Sequence, residues 1–352
     1  MSIQVRERLH PGDLSALADL TRDSAQPIDE RTLTRLLLVD PDPLSSVVLI
    51  AEEDGRALGY THVALEDGVA YLVSGVVAPS ARRRGLGTLL WDGAVARARR
   101  AGAGRLVISG RPRGYAAPGI DERRDPATAA FLRARGARAG GSALAMERDL
   151  TQDLATASAP ARMPVGVRIA PCTPEEVPEM IAAVRADLDP DWAQLLARHV
   201  DERSAEQTRG RDLPAGPAAG ILLARDAPAE PRSADRDTLG ELLGVAASGV
   251  VGEDPERFGP IGVMPAARGR GIGGALLDAA LQAMARAGSR RAWFQWTSTA
   301  GPAHRLYLSR GFRPLTTTTP FLLDLPGDPH VLPDGPQELL AAMQPLEQGR
   351  TR

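Results

Sequence analysis

The apolar positions of this chain change period in a fixed order, and the order occurs twice. An apolar run at Val47–Ala51 is followed by "ALGYTHVALEDG" and "VAYLVSGVVAP", with Asp54-Gly55 and Asp67-Gly68 as the breaks. Asp-Gly pairs suit two-residue hairpin turns, so this stretch predicts three successive antiparallel strands. Helical spacing then takes over: Leu90, Ala94 and Ala98 recur beside Trp91 and Val95, and Gly102 and Gly104 end the helix. "RLVIS" returns to a strand. In the second half "GILLARD", "ELLGVAASGVV" and "FGPIGVMP" read as strands. Leu277, Leu281 and Met284 then mark a helix that Gly288 stops, and "RRAWFQWT" is the strand after it. Each half reads as helices, an antiparallel meander, a glycine loop opening a helix, a strand, a short helix and a final strand.

The glycine loop is itself repeated. "PSARRRGLGT" (Pro79 to Thr88) and "PAARGRGIGG" (Pro265 to Gly274) are offset by a constant 265 − 79 = 271 − 85 = 186. A strand entering Arg-x-x-Gly-x-Gly and then a helix makes a phosphate cradle. Glycine lets the backbone approach closely, the free amides of the helix start converge, and the helix dipole favours an anion. Gly269-x-Gly271-x-x-Gly274 formally matches a dinucleotide fingerprint. That reading needs a parallel βαβ unit and an acidic residue ~20 positions on. The preceding strands form a meander, and no Asp or Glu occurs between Asp278 and Asp324, so a nicotinamide is rejected.

Composition narrows the chemistry further. All 42 basic residues are Arg, which excludes a Walker A lysine and a lysine Schiff base. The net charge of −2 gives no basic field for nucleic acid. Cys172 is the sole cysteine and the five histidines lack metal-ligand spacing, so no metal is expected. Without a signal-peptide core or a membrane-length apolar run, a cytoplasmic protein is expected.

"VVAPSARRRGLGTLL" and "GVMPAARGRGIGGALL" resemble motif A of the GNAT N-acetyltransferase superfamily, and "AHRLYLSRGF" resembles its motif B. The resemblance implies an α/β (α+β) protein of two GNAT domains. Each would be a mixed, mostly antiparallel sheet with splayed central strands flanked by helices. The domains would span 1–152 and 165–325, with a linker at 153–164 and a tail at 326–352. Arg225 to Thr238 reads as a hairpin insertion, and the tail as Pro-rich with a short helix near Glu338 to Met343. The implied co-substrate is acetyl-CoA, its pyrophosphate on the loop amides and its pantetheine between splayed strands. Carried over, loop contacts fall on Arg82, Arg83, Arg84, Gly85, Leu86 and Gly87, and on Arg268, Gly269, Arg270, Gly271, Ile272 and Gly273. Strand contacts fall on Gly75, Val76 and Val77, and on Ile261, Gly262 and Val263. Tandem members include mycothiol synthases, but "PGID", "FGPIGV" and "AWFQW" resemble a separate, little-characterised tandem group. A tandem chain is an internal pseudo-dimer and is expected to be a monomer, with a homodimer as the alternative.

Within that resemblance the halves differ. Tyr307 lies four residues before Gly311-Phe312, placed to protonate a departing thiolate, whereas Leu132 and Phe131 occupy the matching stretch before Gly136. This expectation puts N-acetylation of a small primary amine in the second domain. One alternative uses the first domain, whose longer loop carries Tyr115, Pro118, Gly119 and Asp121. Another is a non-catalytic CoA-binding sensor. Candidate bases are Glu66, Asp67, Glu253, Asp254 and Glu256, although such residues are more often solvated turn residues. His304 is a candidate relay. Of Trp293 and Trp296, one is expected in the core and the other in an acceptor pocket.

Overall fold

The structure, a computed structural model, describes residues 3–7, 9–10, 12–25, 27–38, 45–66, 68–109, 118–151, 163–210, 216, 218–227, 240–251 and 254–325. Tyr115, Asp67, Glu253, most of the linker and of the 225–238 insertion, and the tail helix lie outside these residues.

Along the first half run β1 (Gln4–Arg6), α1 (Asp13–Thr21), α2 (Glu30–Leu38), β2 (Ser46–Glu53), β3 (Arg56–Glu66), β4 (Val69–Val77), α3 (Leu86–Arg100), β5 (Arg105–Ile108), α4 (Pro126–Arg133), β6 (Arg138–Ala139) and β7 (Ala143–Asp149). The second half continues with β8 (Val167–Pro171), α5 (Val177–Asp187), α6 (Pro190–Thr208), β9 (Ile221–Asp226), β10 (Leu242–Ser248), β11 (Phe258–Val263), α7 (Ile272–Arg286), β12 (Arg291–Phe294), α8 (Pro302–Ser309), β13 (Arg313–Thr318) and β14 (Phe321–Asp324). Asp54 and Gly55 both take positive φ, 51° and 76°, as the tight β2–β3 turn demands.

Two compact units result, one from Met1–Ala143 with Thr317–Arg352, the other from Leu144–Thr316. The first holds a sheet ordered β1-β2-β3-β4-β5-β14-β6; the second holds sheets ordered β11-β10-β9-β8 and β12-β7-β13. The terminal strands have therefore changed places. β7 closes the first half in sequence, yet it pairs with β12, Met146 opposite Phe294. β14 closes the second half, yet it pairs with β5, Phe321 opposite Ile108. Met146 of β7 and Phe321, the first residue of β14, have no exposure. The sequence-based limits at 152 and 165 thus differ from the spatial units, because apolar alternation fixes which residues are buried but not which sheet receives them.

The sheet of the first unit packs on both faces, and the sheets of the second unit meet helices on two sides. In the first unit Leu106, Ile108 and Phe321 meet Trp91, Ala94 and Ala98 of α3. The opposite face sets Val48, Ile50 and Tyr60 against Leu17 of α1 and Leu33 and Leu37 of α2. In the second unit Phe258, Phe294 and Met146 meet Leu276, Leu277 and Met284 of α7. Behind them Leu223, Val245 and Ala247 meet Met180 and Val184 of α5 and Leu196 of α6.

Candidate active site

The two glycine loops fold alike, down to individual hydrogen bonds. Each passes through a short 3-10 turn, Pro79–Ala81 or Pro265–Ala267, and enters a 15-residue helix at a left-handed glycine. Gly85 and Gly271 hold φ of 88° and 80°, a conformation that a β-carbon opposes. Arg83 takes φ 64° where its counterpart Gly269 takes 81°, so the backbone path outlasts the change of residue. Arg82 donates from Nε to the Val77 carbonyl at 3.1 Å, and Arg268 does the same to Val263 at 3.2 Å. Arg84 pairs with Glu53 at 2.6 Å, and Arg270 with Asp226 at 2.8 Å.

Neither helix start has a side-chain cap. The first return bonds inside the helices come from Leu89 and Ala275, so the N–H groups of Leu86, Gly87 and Thr88, and of Ile272, Gly273 and Gly274, lack helical acceptors. Orphan donors, a positive dipole end and flanking arginines suit an anion such as a pyrophosphate.

The strands feeding the loops part from their parallel neighbours. β4 pairs with β5 from Val69↔Arg105 to Leu72↔Ile108, and Gly75, Val76 and Val77 lie beyond that pairing. In the second unit the parallel contact among the described residues is the bridge Arg257↔Trp293, made by the residue before β11, with Ile261, Gly262 and Val263 beyond it. The offset holds here too: 71 + 186 = 257 and 107 + 186 = 293, and Tyr71 is indeed paired with Val107. Ile261 and Val263 pack on the α7 side. Gly262 faces α5 and α6, where an added β-carbon would come within 2.7 Å of Leu188.

α8 lies on the first turn of α7. A β-carbon on Gly273 would sit 3.8 Å from Leu306, and Arg310 pairs with Asp278 at 2.7 Å. Tyr307 is buried among Phe294, Phe312 and Phe258, with ring centroids at 4.6, 5.5 and 6.4 Å. Burial pushes its phenol up to about 12. In the first unit α4 takes the corresponding place. Phe131 lies beside Gly87, Leu132 is buried, and no hydroxyl occupies that turn.

A model of the acetyltransferase (GNAT) family matches residues 14–117, and a GNAT acetyltransferase domain model matches 232–314. A mycothiol acetyltransferase of Clavibacter michiganensis is 32% identical over 88% of both chains. The chain belongs to the GNAT acetyltransferase family. It is therefore an acyltransferase, in a family that uses acetyl-CoA as co-substrate. Among solved structures, a tandem GNAT protein of the clavulanic acid biosynthesis pathway shares the fold over 93% of this chain and 100% of its own, with TM-score 0.63 and 21% identity. A GCN5-related glucosamine N-acetyltransferase region of a fungal multi-domain GH3 β-N-acetylglucosaminidase matches 92% of this chain, with TM-score 0.68 and 17% identity. The present chain spans 38% of that protein.

The other residues singled out by sequence fall unevenly around the two GNAT units. Asp121 is buried and caps the turn before α4, accepting from the N–H groups of Arg123 and Arg124 at 3.0 and 3.2 Å. Gly119 lets the chain run against Thr319, whose backbone N would be 2.6 Å from an added β-carbon. Glu256 is held by Arg291 at 2.8 Å, and Asp254 accepts from the Glu256 N–H and the Trp293 indole N–H, each at 2.9 Å. Glu66 ends β3, half-buried. His304 is half-buried on α8, one turn before Tyr307. Neither tryptophan is a core residue: Trp293 is half-buried and Trp296 is 54% exposed beyond β12.

Three positions escaped the sequence reading. Tyr60, His62 and Ser74 are buried together on the α1–α2 side of β3 and β4, with His62 opposite Ser74. At the same offset the second unit carries Ala246, Ser248 and Pro260. Nothing in the local pattern marks a polar residue inside an apolar strand as functional. Among the described residues no group of three or more His, Cys, Asp or Glu could hold a metal, and no helix is long and apolar enough to cross a membrane.

Proposed function

We propose that the second unit transfers the acetyl group of acetyl-CoA to the primary amine of a small molecule. One observation carries this reading: α8 sets a hydroxyl-bearing side chain, Tyr307, in the turn that lies against the second cradle, where the first unit has Leu132. The orphan amides of Ile272 to Gly274, with Arg268, fit a pyrophosphate, and β11 beyond its bridge with β12 fits an extended pantetheine arm. Bound there, acetyl-CoA supplies the activated acyl group. The protein's part is to hold the diphosphate, align the acceptor amine and keep a donor hydrogen at Tyr307 Oη near the leaving sulfur. The first cradle, with Arg82, Gly85 and Gly87, is a second and weaker nucleotide site on this reading. The chain acts as a monomer in the cytoplasm.

A rival reading places catalysis in the first unit, and the buried Tyr60, His62 and Ser74 beside its splayed strand favour it. Free-thiol release over amino sugars, aminoglycosides, amino acids, polyamines and a mycothiol-related amine separates the two. Tyr307→Phe is expected to lower turnover by about 10²-fold, within the range of general acid catalysis, with acetyl-CoA affinity retained. A silent Tyr307→Phe together with an inactive His62→Gln moves the active site to the first unit.

A further inference from the structure

Arg257 stands at the fork of the second unit. As the residue before β11 it bridges Trp293 of β12 in parallel, and among the described residues no pairing between the two strands continues beyond it. Phe258 and Phe294 point to the α7 side with Tyr307, so alternation sends Arg257, Trp293 and Gln295 to the other face. The register shift between Ile261 and Phe258, three steps on β11 against two on β10, reverses the alternation once, so that face is the one Gly262 presents to α5 and α6.

Arg257 is 8% exposed as a residue; its guanidinium stacks 4.6 Å over the Trp293 ring and donates from Nη2 to Gln295 Oε1 at 3.0 Å. Among the described residues no carboxylate comes within 4.0 Å of it. Asp254, whose oxygens accept the Glu256 and Trp293 N–H groups, acts on it through space. Burial lowers Arg257 to about 10, the cost of a cation held without a counter-ion. Five N–H donors belong to a guanidinium, and among the described residues one side-chain bond, to Gln295, is made. The first unit has Tyr71, Val107 and Ser109 at these positions and builds no such group.

We infer that Arg257, backed by Trp293 and Gln295, receives an oxyanion of the acceptor, so that the second unit acetylates amines that also carry a carboxylate or a phosphoryl group. A planar fork matches either oxyanion in bidentate fashion. The inference rests on the second unit being the transfer site.

Three acceptors of matched length separate the possibilities: an amino carboxylate, a phosphorylated amino alcohol and an uncharged amine. The wild-type protein is expected to prefer one of the first two by roughly tenfold or more in kcat/KM, and which one identifies the oxyanion. Arg257→Gln and the packing variant Arg257→Met should raise the KM of that acceptor by a similar factor. Both should leave the uncharged amine and acetyl-CoA affinity within about twofold. Equal turnover of all three by the wild type, or a preference that survives both variants, overturns the proposal. Binding is read separately by tryptophan fluorescence titration with the amino carboxylate and the phosphorylated amine, against Trp293→Phe. Saturable, Arg257-dependent binding without thiol release from any amine keeps the anion site and removes the transfer reading. No saturable binding removes the anion site.

Discussion

Arg82 Nε donates to the carbonyl oxygen of Val77 across 3.1 Å, tying the loop's first arginine back onto the strand that leads into it. Arg268 repeats the bond on Val263 at 3.2 Å, so each arginine is held in place before any anion arrives. Pre-organisation of this kind lowers the ordering cost of binding. Arg268→Ala is therefore expected to weaken acetyl-CoA about tenfold in calorimetry, the scale of one charge-assisted hydrogen bond. The loss should shrink as salt is raised, because the wild-type advantage is screened. A variant with unchanged affinity at low salt would count against the cradle.

Gly271 tests the backbone rather than the charge. Its φ of 80° excludes a β-branched residue, so Gly271→Val must rebuild the first turn of α7. Acetyl-CoA affinity at the second cradle should fall by about tenfold or more, since the amides lose their common aim. Gly85→Val is expected to remove only the weaker site. Two binding events in the wild type should become one in either variant, and none in the double variant.

Much of this was legible in sequence, for a physical reason. Strands β2 to β4 and helices α3 and α7 follow apolar periods enforced by burial, and Leu90, Ala94, Ala98, Leu277, Leu281 and Met284 are all buried as their spacing predicts. The loops were legible because glycine and arginine do work there that few other residues can. Arg257 was not, since an arginine in "EDPERFGP" looks like a solvated turn residue until β11 and β12 bring Trp293 and Gln295 beside it. Superposing the halves at offset 186 would have flagged it, as Tyr71 stands opposite.

The Tyr307 phenol offers a prediction in pH. Burial disfavours its anion and raises the pKa to about 12, so the donor form persists to higher pH than an exposed tyrosine near ~10 would allow. The sign follows: activity that needs the protonated phenol is present below the pKa and lost only as pH rises through it. The kcat profile should show no falling limb near pH ~10 that vanishes in Tyr307→Phe. Such a limb would place the hydroxyl in water, contrary to its packing on Phe294.

Arg225 supports the helices that cover Gly262. It is 2% exposed on β9 and bonds Glu176 at 2.9 Å, Glu179 at 2.6 Å and the Gly240 carbonyl at 2.8 Å. Arg225→Met leaves the buried Glu176 without its cation and is expected to cost about 3–5 kcal/mol in urea unfolding. Adding Glu176→Gln should recover more than half of that loss, because the stranded charge is gone. Additive losses would mean that packing, not charge, dominates here.

The exchanged strands predict how the halves behave when the chain is cut. β7 precedes the linker but pairs with β12, and β14 follows it but pairs with β5 and β6. A protease site inserted after residue 155 would yield two pieces, each carrying a strand of the other's sheet. The pieces are expected to co-elute after cleavage and to part only on unfolding, since release would expose Met146 and Phe321, both without exposure in the intact fold. Residues 1–155 expressed alone should lack the strand that covers β5, leaving Leu106 and Ile108 at an open sheet edge. That fragment should aggregate or self-associate, and a peptide of residues 317–325 supplied in trans should reduce the association. A monomeric, cooperatively folding 1–155 fragment would show that β14 is dispensable and that the exchange contributes little to stability.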